Sequence, residues 1–157
     1  MPRVRASTDR DRADDDGSAA LEFILVGLIL LVPIVYLVIA LGAIQGQALG
    51  VETGARQLAR TIAESPDAAT ADARADRVLD AIVTEYGMDA EAVDISVACA
   101  SASPGSCPEA GSLLTVTVRT SVPLPLIPAV FGIDEFARVP VEAASVQKVS
   151  RYWTGER

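Results

Sequence analysis

The residues that bear most directly on chemistry are a glutamate and a glycine at the start of a long apolar segment. Glu22 stands directly before residues 23–44, which carry no charged side chain, and Gly17 lies five residues upstream of it. A carboxylate at the edge of hydrocarbon is costly unless a cation or a donor meets it, and such residues usually mark function. The chemistry available to Glu22 is therefore charge pairing at an apolar boundary.

The apolar segment, residues 23–44, is long enough to cross a bilayer as a helix. About 20 residues suffice for a span, and the segment supplies 22. The alternative is a cleaved secretory signal, since Gly46-Gln47-Ala48 has the small-x-small form of a cleavage site. An exported soluble domain would then begin near Leu49. Signal peptides have a shorter apolar core and a basic leader, so we favour the span.

Basic residues predict the orientation of the span. Four arginines precede it within residues 1–12, and the first basic residue after it is Arg56. Such an asymmetry favours a cytoplasmic N-terminus. We therefore expect a single-pass protein of the cell membrane with residues 51–157 outside the cytoplasm.

The order of Gly17, four residues, Glu22, Phe23 and an apolar stretch resembles the processing site of type IV pilins and pseudopilins. With a domain of this size behind it, the chain is similar to TadE-like pseudopilins of the tight-adherence (Flp, type IVb) pilus machinery. The likeness is closest over residues 14–45; beyond them only element order and length agree. Flp-type major pilins are much shorter, which favours a minor component.

The resemblance implies that a prepilin peptidase cuts after Gly17 and leaves Ser18 as the new N-terminus. Glu22 and Phe23 would then hold the positions of the family's glutamate and the residue after it. In an assembly, the Ser18 ammonium of a neighbour would neutralise Glu22 and set the axial register between subunits. The alternative places Glu22 at headgroup depth, as an acid that the helix macrodipole favours.

The resemblance also implies the partners. These are the prepilin peptidase, other pilins and pseudopilins, the membrane proteins of the pilus platform, and the lipid bilayer. The competing hypothesis, from another class, is an uncleaved signal-anchor protein of the envelope whose outer domain binds a ligand or partner.

Four glycines recur at intervals of four residues and so share one helical face: Gly42, Gly46, Gly50 and Gly54. Each costs about 1 kcal/mol of helix propensity relative to Ala. Small residues at this spacing let two helices approach closely in a membrane, so we predict helix packing on this face. The alternative is a flexible joint.

Residues after the apolar segment predict two helices. An apolar stripe continues the first helix to a break at 65–67, and a second amphipathic helix covers about 70–86, closed by Gly87. The stripe of the first helix consists of Val51, Ala55, Leu58 and Ile62.

After Gly87 the apolar period changes from 3.6 to 2, which predicts strands near 93–97, 114–122 and 138–149. Pro140 marks the last of them as an edge strand or a bulge. The predicted fold class is α+β and pilin-like: a long N-terminal transmembrane helix, a second helix and a small antiparallel sheet of about three strands.

The predicted organisation has three parts. They are a cytoplasmic leader over 1–17, a transmembrane and assembly helix over 18–50, and an extracytoplasmic domain over 51–157. Residues 1–16 are charged and nearly free of apolar side chains, so we expect disorder there and a helix start near Ser18.

Cys99 and Cys107 flank a turn-rich loop between two predicted strands. Outside the cytoplasm, two cysteines this close favour a disulfide. Separate buried thiols are the alternative.

The stretch 123–132 is apolar but contains three prolines, so it cannot be a regular central strand. We expect it to cover the sheet, with Leu126, Ile127 and Phe131 plugging the core; a patch facing a partner or a membrane is the alternative. Tyr152 and Trp153 are compatible with packing on the sheet and with a place at an interface, and the sequence favours neither.

Catalysis, metal binding and nucleic-acid binding find little support in the sequence. The chain has no histidine, which removes the commonest acid–base group and metal ligand. Ser145 and Lys148 match an S-x-x-K pattern, but the companion motifs are missing. A net charge of −8 without a basic cluster argues against nucleic acid. We predict no enzyme activity, no catalytic residues, no metal site and no cofactor.

Overall fold

The computed structural model describes residues 10–100, 107–126 and 137–154, with side chains described from residue 19 onward. The chain order is helix α1 (Arg10–Glu64), helix α2 (Ala68–Tyr86), a short 3-10 turn (Ala90–Ala92), and strands β1 (Asp94–Ala100), β2 (Leu113–Pro123) and β3 (Arg138–Lys148). The predicted α+β arrangement of a long apolar helix, a second helix and a three-stranded antiparallel sheet is confirmed. The chain divides into two compact units, Met1–Ala40 and Leu41–Arg157.

Helix α1 is longer than predicted at its N-terminus. It begins at Arg10, so the predicted disorder is wrong for residues 10–16, and the predicted start near Ser18 is wrong. Each residue added to an existing helix gains a hydrogen bond, and the acids at 14–16 lie near the end that the macrodipole makes positive. Residues 1–9 lie outside the described part. The helix ends at Glu64, directly before the predicted break.

Helix α2 has both of its ends fixed by local hydrogen bonds. The Asp67 side chain accepts a bond from the backbone N–H of Thr70 at 2.7 Å, which starts the helix slightly earlier than predicted. Gly87 ends it in the left-handed region, with φ 60°. The Met88 N–H then donates to the Val83 carbonyl at 3.0 Å, which satisfies one of the last carbonyls of the helix.

The sheet has the order β1-β2-β3, with both pairs antiparallel and β2 in the centre. One face of β2 is buried through its whole length, as its alternation predicts; its members are Leu114, Val116, Val118, Thr120 and Val122. Among the described strands, β3 pairs only with β2, and Pro140 lies opposite Ser121. The prediction of an edge strand at Pro140 is therefore confirmed.

The core forms where one face of α1 meets α2, the inner face of β2 and the C-terminal residues. Its buried members are Val51, Ala55, Leu58, Ala59, Ile62, Ala63, Ala71, Ile82, Met88, Leu114, Val116, Val118, Val149 and Trp153. Tyr152, by contrast, is 88% exposed. Leu126 is 79% exposed, so its predicted role as a core plug is wrong. Ile127 and Phe131 lie outside the described residues.

Backbone hydrogen bonds fasten the C-terminal residues to the end of α1. The Ser150 N–H donates to the Ala63 carbonyl at 2.8 Å, and the Thr154 N–H donates to the Pro66 carbonyl at 2.9 Å. Because the last carbonyls of a helix have no partner within it, the bond to Ala63 satisfies a group that would otherwise need water, and the bond to Pro66 holds the segment directly after the helix. The chain thereby places Trp153 in the core.

Candidate functional site

The candidate site is the apolar part of α1, where the structure leaves nearly every large side chain uncovered. From Leu21 to Leu41 each large apolar side chain except Tyr36 is between 46% and 79% exposed. Of the described helices, this one is long and apolar enough to cross a membrane. Soluble proteins rarely expose so large a continuous apolar surface. The surface is suited to lipid or to other helices, and α1 is a candidate membrane anchor.

The predicted processing residues lie within α1. Gly17 and Ser18 are helical, and Ser18 lies four residues, about one helical turn, before Glu22. Glu22 is exposed, and Phe23 beside it is 79% exposed. Helical geometry thus separates the backbones of Ser18 and Glu22 by about 6 Å along the axis. Cleavage after Gly17 would convert the backbone nitrogen of Ser18 into an ammonium.

Glu22 has no ion pair with any residue whose side chain the structure describes. The pairs found there are Glu52–Arg56, Arg60–Glu64 at 2.9 Å and Arg119–Glu142 at 2.9 Å, all in the second unit. A carboxylate flanked by exposed apolar side chains is stable in hydrocarbon only with a partner. The described part of one copy does not provide that partner.

The four glycines that share one face of α1 at intervals of four residues divide into two pairs. A Cβ on Gly50 would lie 2.6 Å from Tyr86 Cγ and would also clash with Met88 Cε, while one on Gly54 would meet Ile82 at 3.5 Å. Gly54 therefore packs against Ile82 of α2, and Gly50 packs against Tyr86 at the end of α2 and Met88 just after it. Gly42 and Gly46 have nothing within 4 Å of a built Cβ. Packing of another subunit against Gly42 and Gly46 stays a prediction.

The continuation of α1 is amphipathic, in contrast to its apolar segment. Exposed pairs of opposite charge at i and i+4 run along its outer side, formed by Glu52 with Arg56 and by Arg60 with Glu64. The opposite side carries Val51 and Leu58, which are at most 1% exposed. One helix therefore changes within a few turns from a uniformly apolar surface to a two-faced one.

The predicted disulfide is confirmed. Cys99 and Cys107 are bonded with an S–S distance of 2.07 Å, and their Cα atoms lie 5.5 Å apart. The bond joins the end of β1 to the segment before β2, so the alternative of two separate thiols is wrong. Closing a loop of this size contributes roughly 2–3 kcal/mol to the free energy of unfolding.

The described residues do not bring together the side chains that a metal site or an acyl-transfer site would need. No cluster of three metal-ligating side chains occurs there. Ser145 and Lys148 both lie on β3, three residues apart. Side chains of a strand alternate between faces, so residues three apart point to opposite sides of the sheet. Their S-x-x-K spacing therefore does not bring a nucleophile to a base.

Sequence reasoning missed the significance of Tyr36. It is the one side chain within residues 23–44 that carries a polar group. It is partly buried, and on the same face Ala40 is 5% exposed and Ile44 is partly buried, whereas the other residues of 23–44 are exposed. The signal was available, because a lone hydroxyl in the middle of an apolar run needs a partner.

No protein-family model, curated protein or solved structure matches this chain. The geometry of α1 and the residues at its start are therefore the features that bear on function.

Proposed function

We propose that this chain is a minor, TadE-like pseudopilin that acts structurally in the assembly of a tight-adherence (Flp, type IVb) pilus. A prepilin peptidase cuts it after Gly17. The apolar segment anchors the chain in the bilayer before assembly and forms the stalk of the subunit afterwards. Residues 51–157 form an α+β head outside the cytoplasm.

The observation that carries this proposal is the continuity of α1. One unbroken helix begins before the apolar segment and ends inside the packed head. A helix that serves only as an anchor has no need to extend into the fold of its own head. A subunit that must pass from a bilayer into a filament benefits from one helix that belongs to both its stalk and its head.

The position of Glu22 supports assembly over simple anchoring. Its carboxylate has no ion pair with the described side chains, and it stands where apolar surface begins. Cleavage after Gly17 would create an ammonium on every subunit, which a neighbour's Glu22 can meet. Breaking a buried pair by removing one member costs about 3–5 kcal/mol. Such an energy is large enough to decide whether a subunit enters a filament.

The proposed partners follow from this role. They are the prepilin peptidase, other pilins and pseudopilins, the membrane proteins of the pilus platform, and the lipid bilayer. The proposed orientation follows the arginines before the span, which favour an N-terminus in the cytoplasm. Nucleic acid is not among the partners, since a net charge of −8 repels phosphate.

The test substitutes Glu22→Val and measures two quantities in the same cells. The N-terminus of the protein should remain Ser18, because the substitution lies beyond the cut, while incorporation into sheared filaments and pilus output should be lost. Glu52→Val is the matched control: it removes an exposed glutamate from the amphipathic part of the same helix and should leave filaments intact. Normal filament output from the Glu22→Val chain would overturn the pairing of Glu22 with a neighbour.

A further inference from the structure

The two ends of the head differ in their distance from a membrane that α1 spans. The second compact unit starts with residues 41–44, the last of the apolar segment, so a spanning α1 enters the head at this end. At the other end α1 finishes, and there the Ser150 N–H donates to the Ala63 carbonyl. The Val149 N–H donates to the carbonyl of Ser112, the residue directly before β2. Strand β2 therefore starts at the end of the head that is farther from the bilayer.

Strand β2 runs from that far end toward the bilayer. Tyr86, at the end of α2, lies against Gly50 in the membrane-side half of the head's part of α1. The chain then enters β1 at Asp94, eight residues after Tyr86, and Asp94 pairs with Arg119 of β2. The strand has thus passed from the far end of the head to its membrane-side half at Arg119, and it continues beyond that residue.

The hairpin of β2 and β3 reaches the level at which α1 enters the head. The four residues from Arg119 to Pro123 add about 13 Å at the rise of a strand, whereas α1 covers only about 9 Å from Gly50 to Ile44. Ile44 is itself partly buried, although it belongs to the apolar segment. This burial indicates that the head covers α1 at the level of Ile44.

The described tip of this hairpin carries an apolar side chain that the head does not bury. The Leu124 N–H donates to the Ala137 carbonyl at 2.9 Å, one position beyond the last pair of the ladder. Leu126 follows in the turn and is 79% exposed. Its φ is 65°, in the left-handed region that glycine adopts most readily. Neither the turn nor the core has a use for a leucine here, so its side chain is available for a contact outside the head.

The residues around Leu126 suit the interface of a phospholipid bilayer. Pro123 and Pro125 have no N–H, so the tip has fewer backbone donors that need a partner away from water. Arg138 pairs with Pro123 in the ladder, is exposed, and forms no ion pair with the residues that the structure describes. Guanidinium groups bind phosphate with parallel hydrogen bonds, and their apolar stems lie along hydrocarbon. A leucine beside such an arginine can thus meet the acyl chains and the phosphates together.

We propose that the tip of the β2–β3 hairpin inserts into the phospholipid interface on the outer side of the membrane, with Leu126 in the acyl boundary and Arg138 on the lipid phosphates. The inference goes beyond the proposed function and rests on its membrane placement. Lipid is the occupant because a bilayer that α1 spans is already present at the level that the hairpin reaches. The head then has a second attachment to the membrane besides α1.

Fluorescence quenching by lipid-bound nitroxides tests the insertion. The full-length Leu126→Cys chain carries a thiol-reactive fluorophore and is placed in phosphatidylethanolamine–phosphatidylglycerol vesicles without reductant, so that Cys99 and Cys107 stay bonded. The matched control is Tyr152→Cys, because Tyr152 is 88% exposed and lies beside Trp153 and Thr154 at the far end of the head. The fluorophore at 126 should be quenched several-fold more strongly than that at 152. Equal quenching at the two positions would overturn the inference.

Arginine substitutions test the contact with phosphate in the same vesicles. Arg138→Gln should weaken the quenching at 126, whereas Arg151→Gln, which removes an exposed arginine at the far end, should not. Unchanged quenching in the Arg138→Gln chain would contradict the role of Arg138. Failure of the proposed function reads differently. A native chain that starts at Met1 but shows strong quenching at 126 contradicts the pilus role and supports the insertion, and a chain that starts at Ser18 without that quenching does the reverse.

Discussion

The two parts of α1 obey the same helical geometry but are built for different surroundings. Leu30 is 59% exposed in the first part, and Leu58 is 1% exposed in the second. The first part is apolar on all sides, so no single packed face can cover it. The second part has one charged side and one apolar side, which is the pattern of a helix at the surface of a soluble domain. The difference makes the first part a candidate for a membrane anchor, whereas the core of the head covers one side of the second part.

The largest effect on stability should come from replacing one leucine by alanine in each of the two parts of α1 and comparing the results. Leu58→Ala leaves a cavity in the head and should lower its free energy of unfolding by about 2–5 kcal/mol. Leu30→Ala removes an exposed side chain and should leave head unfolding unchanged. The measurement is denaturant unfolding in detergent, followed by the fluorescence of Trp153, the single tryptophan, which is buried in the core. Equal losses from both substitutions would contradict the division of α1.

The glycines offer a second and smaller contrast. Gly50→Ala places a methyl group against Tyr86 and Met88, and such overpacking should cost about 1–3 kcal/mol of head stability. Gly46→Ala meets no atom within 4 Å and should instead favour the helix by about 1 kcal/mol. The same unfolding assay compares them. If Gly46→Ala leaves stability intact but reduces association in vesicles, this glycine packs against another subunit; equal destabilisation by both variants would refute the division of the glycine face.

The sequence predicts local features of this fold well, because those features depend on near neighbours. The alternation of β2, the break after Glu64 and the closure of α2 at Gly87 each follow from residues within a turn or a strand of one another. The edge position of Pro140 follows from its missing N–H.

Contacts between distant residues were beyond the reach of these patterns. Nothing near Gly50 indicates that Tyr86 and Met88 would occupy the space of its missing side chain. The Thr154–Pro66 bond likewise joins residues 88 positions apart. At the candidate site, the spacing of Glu22 and Gly17 from the apolar segment singles them out, and their role stays a prediction. The partner proposed for Glu22 belongs to another chain, so one sequence cannot identify it.

The smallest effect concerns the charge that caps α2 in the head, for which the apolar segment has no counterpart. The Thr70 backbone N–H donates to the Asp67 carboxylate and lowers the pKa of that carboxyl from its ordinary value of 3.8. A lowered pKa in the folded state means that the ionised form stabilises the fold above about pH 4. This contribution is lost as the pH falls through the lower folded value.

Asp67→Asn keeps a side-chain oxygen for the cap but removes the charge. Head stability should therefore fall less between pH 7 and pH 2 in the variant than in the wild type. Trp153 fluorescence in denaturant at both pH values measures this difference. Identical losses on acidification would show that the Asp67 charge contributes nothing to the fold.

The N-terminus of the native protein tests the central claim most directly. Protein purified from membranes and from sheared filaments can be subjected to N-terminal sequencing and intact-mass analysis. We predict a chain that begins Ser18-Ala19-Ala20-Leu21-Glu22, with a free ammonium four residues before Glu22. A native chain that begins at Met1 would lack that cation and would contradict the assignment to pilus assembly.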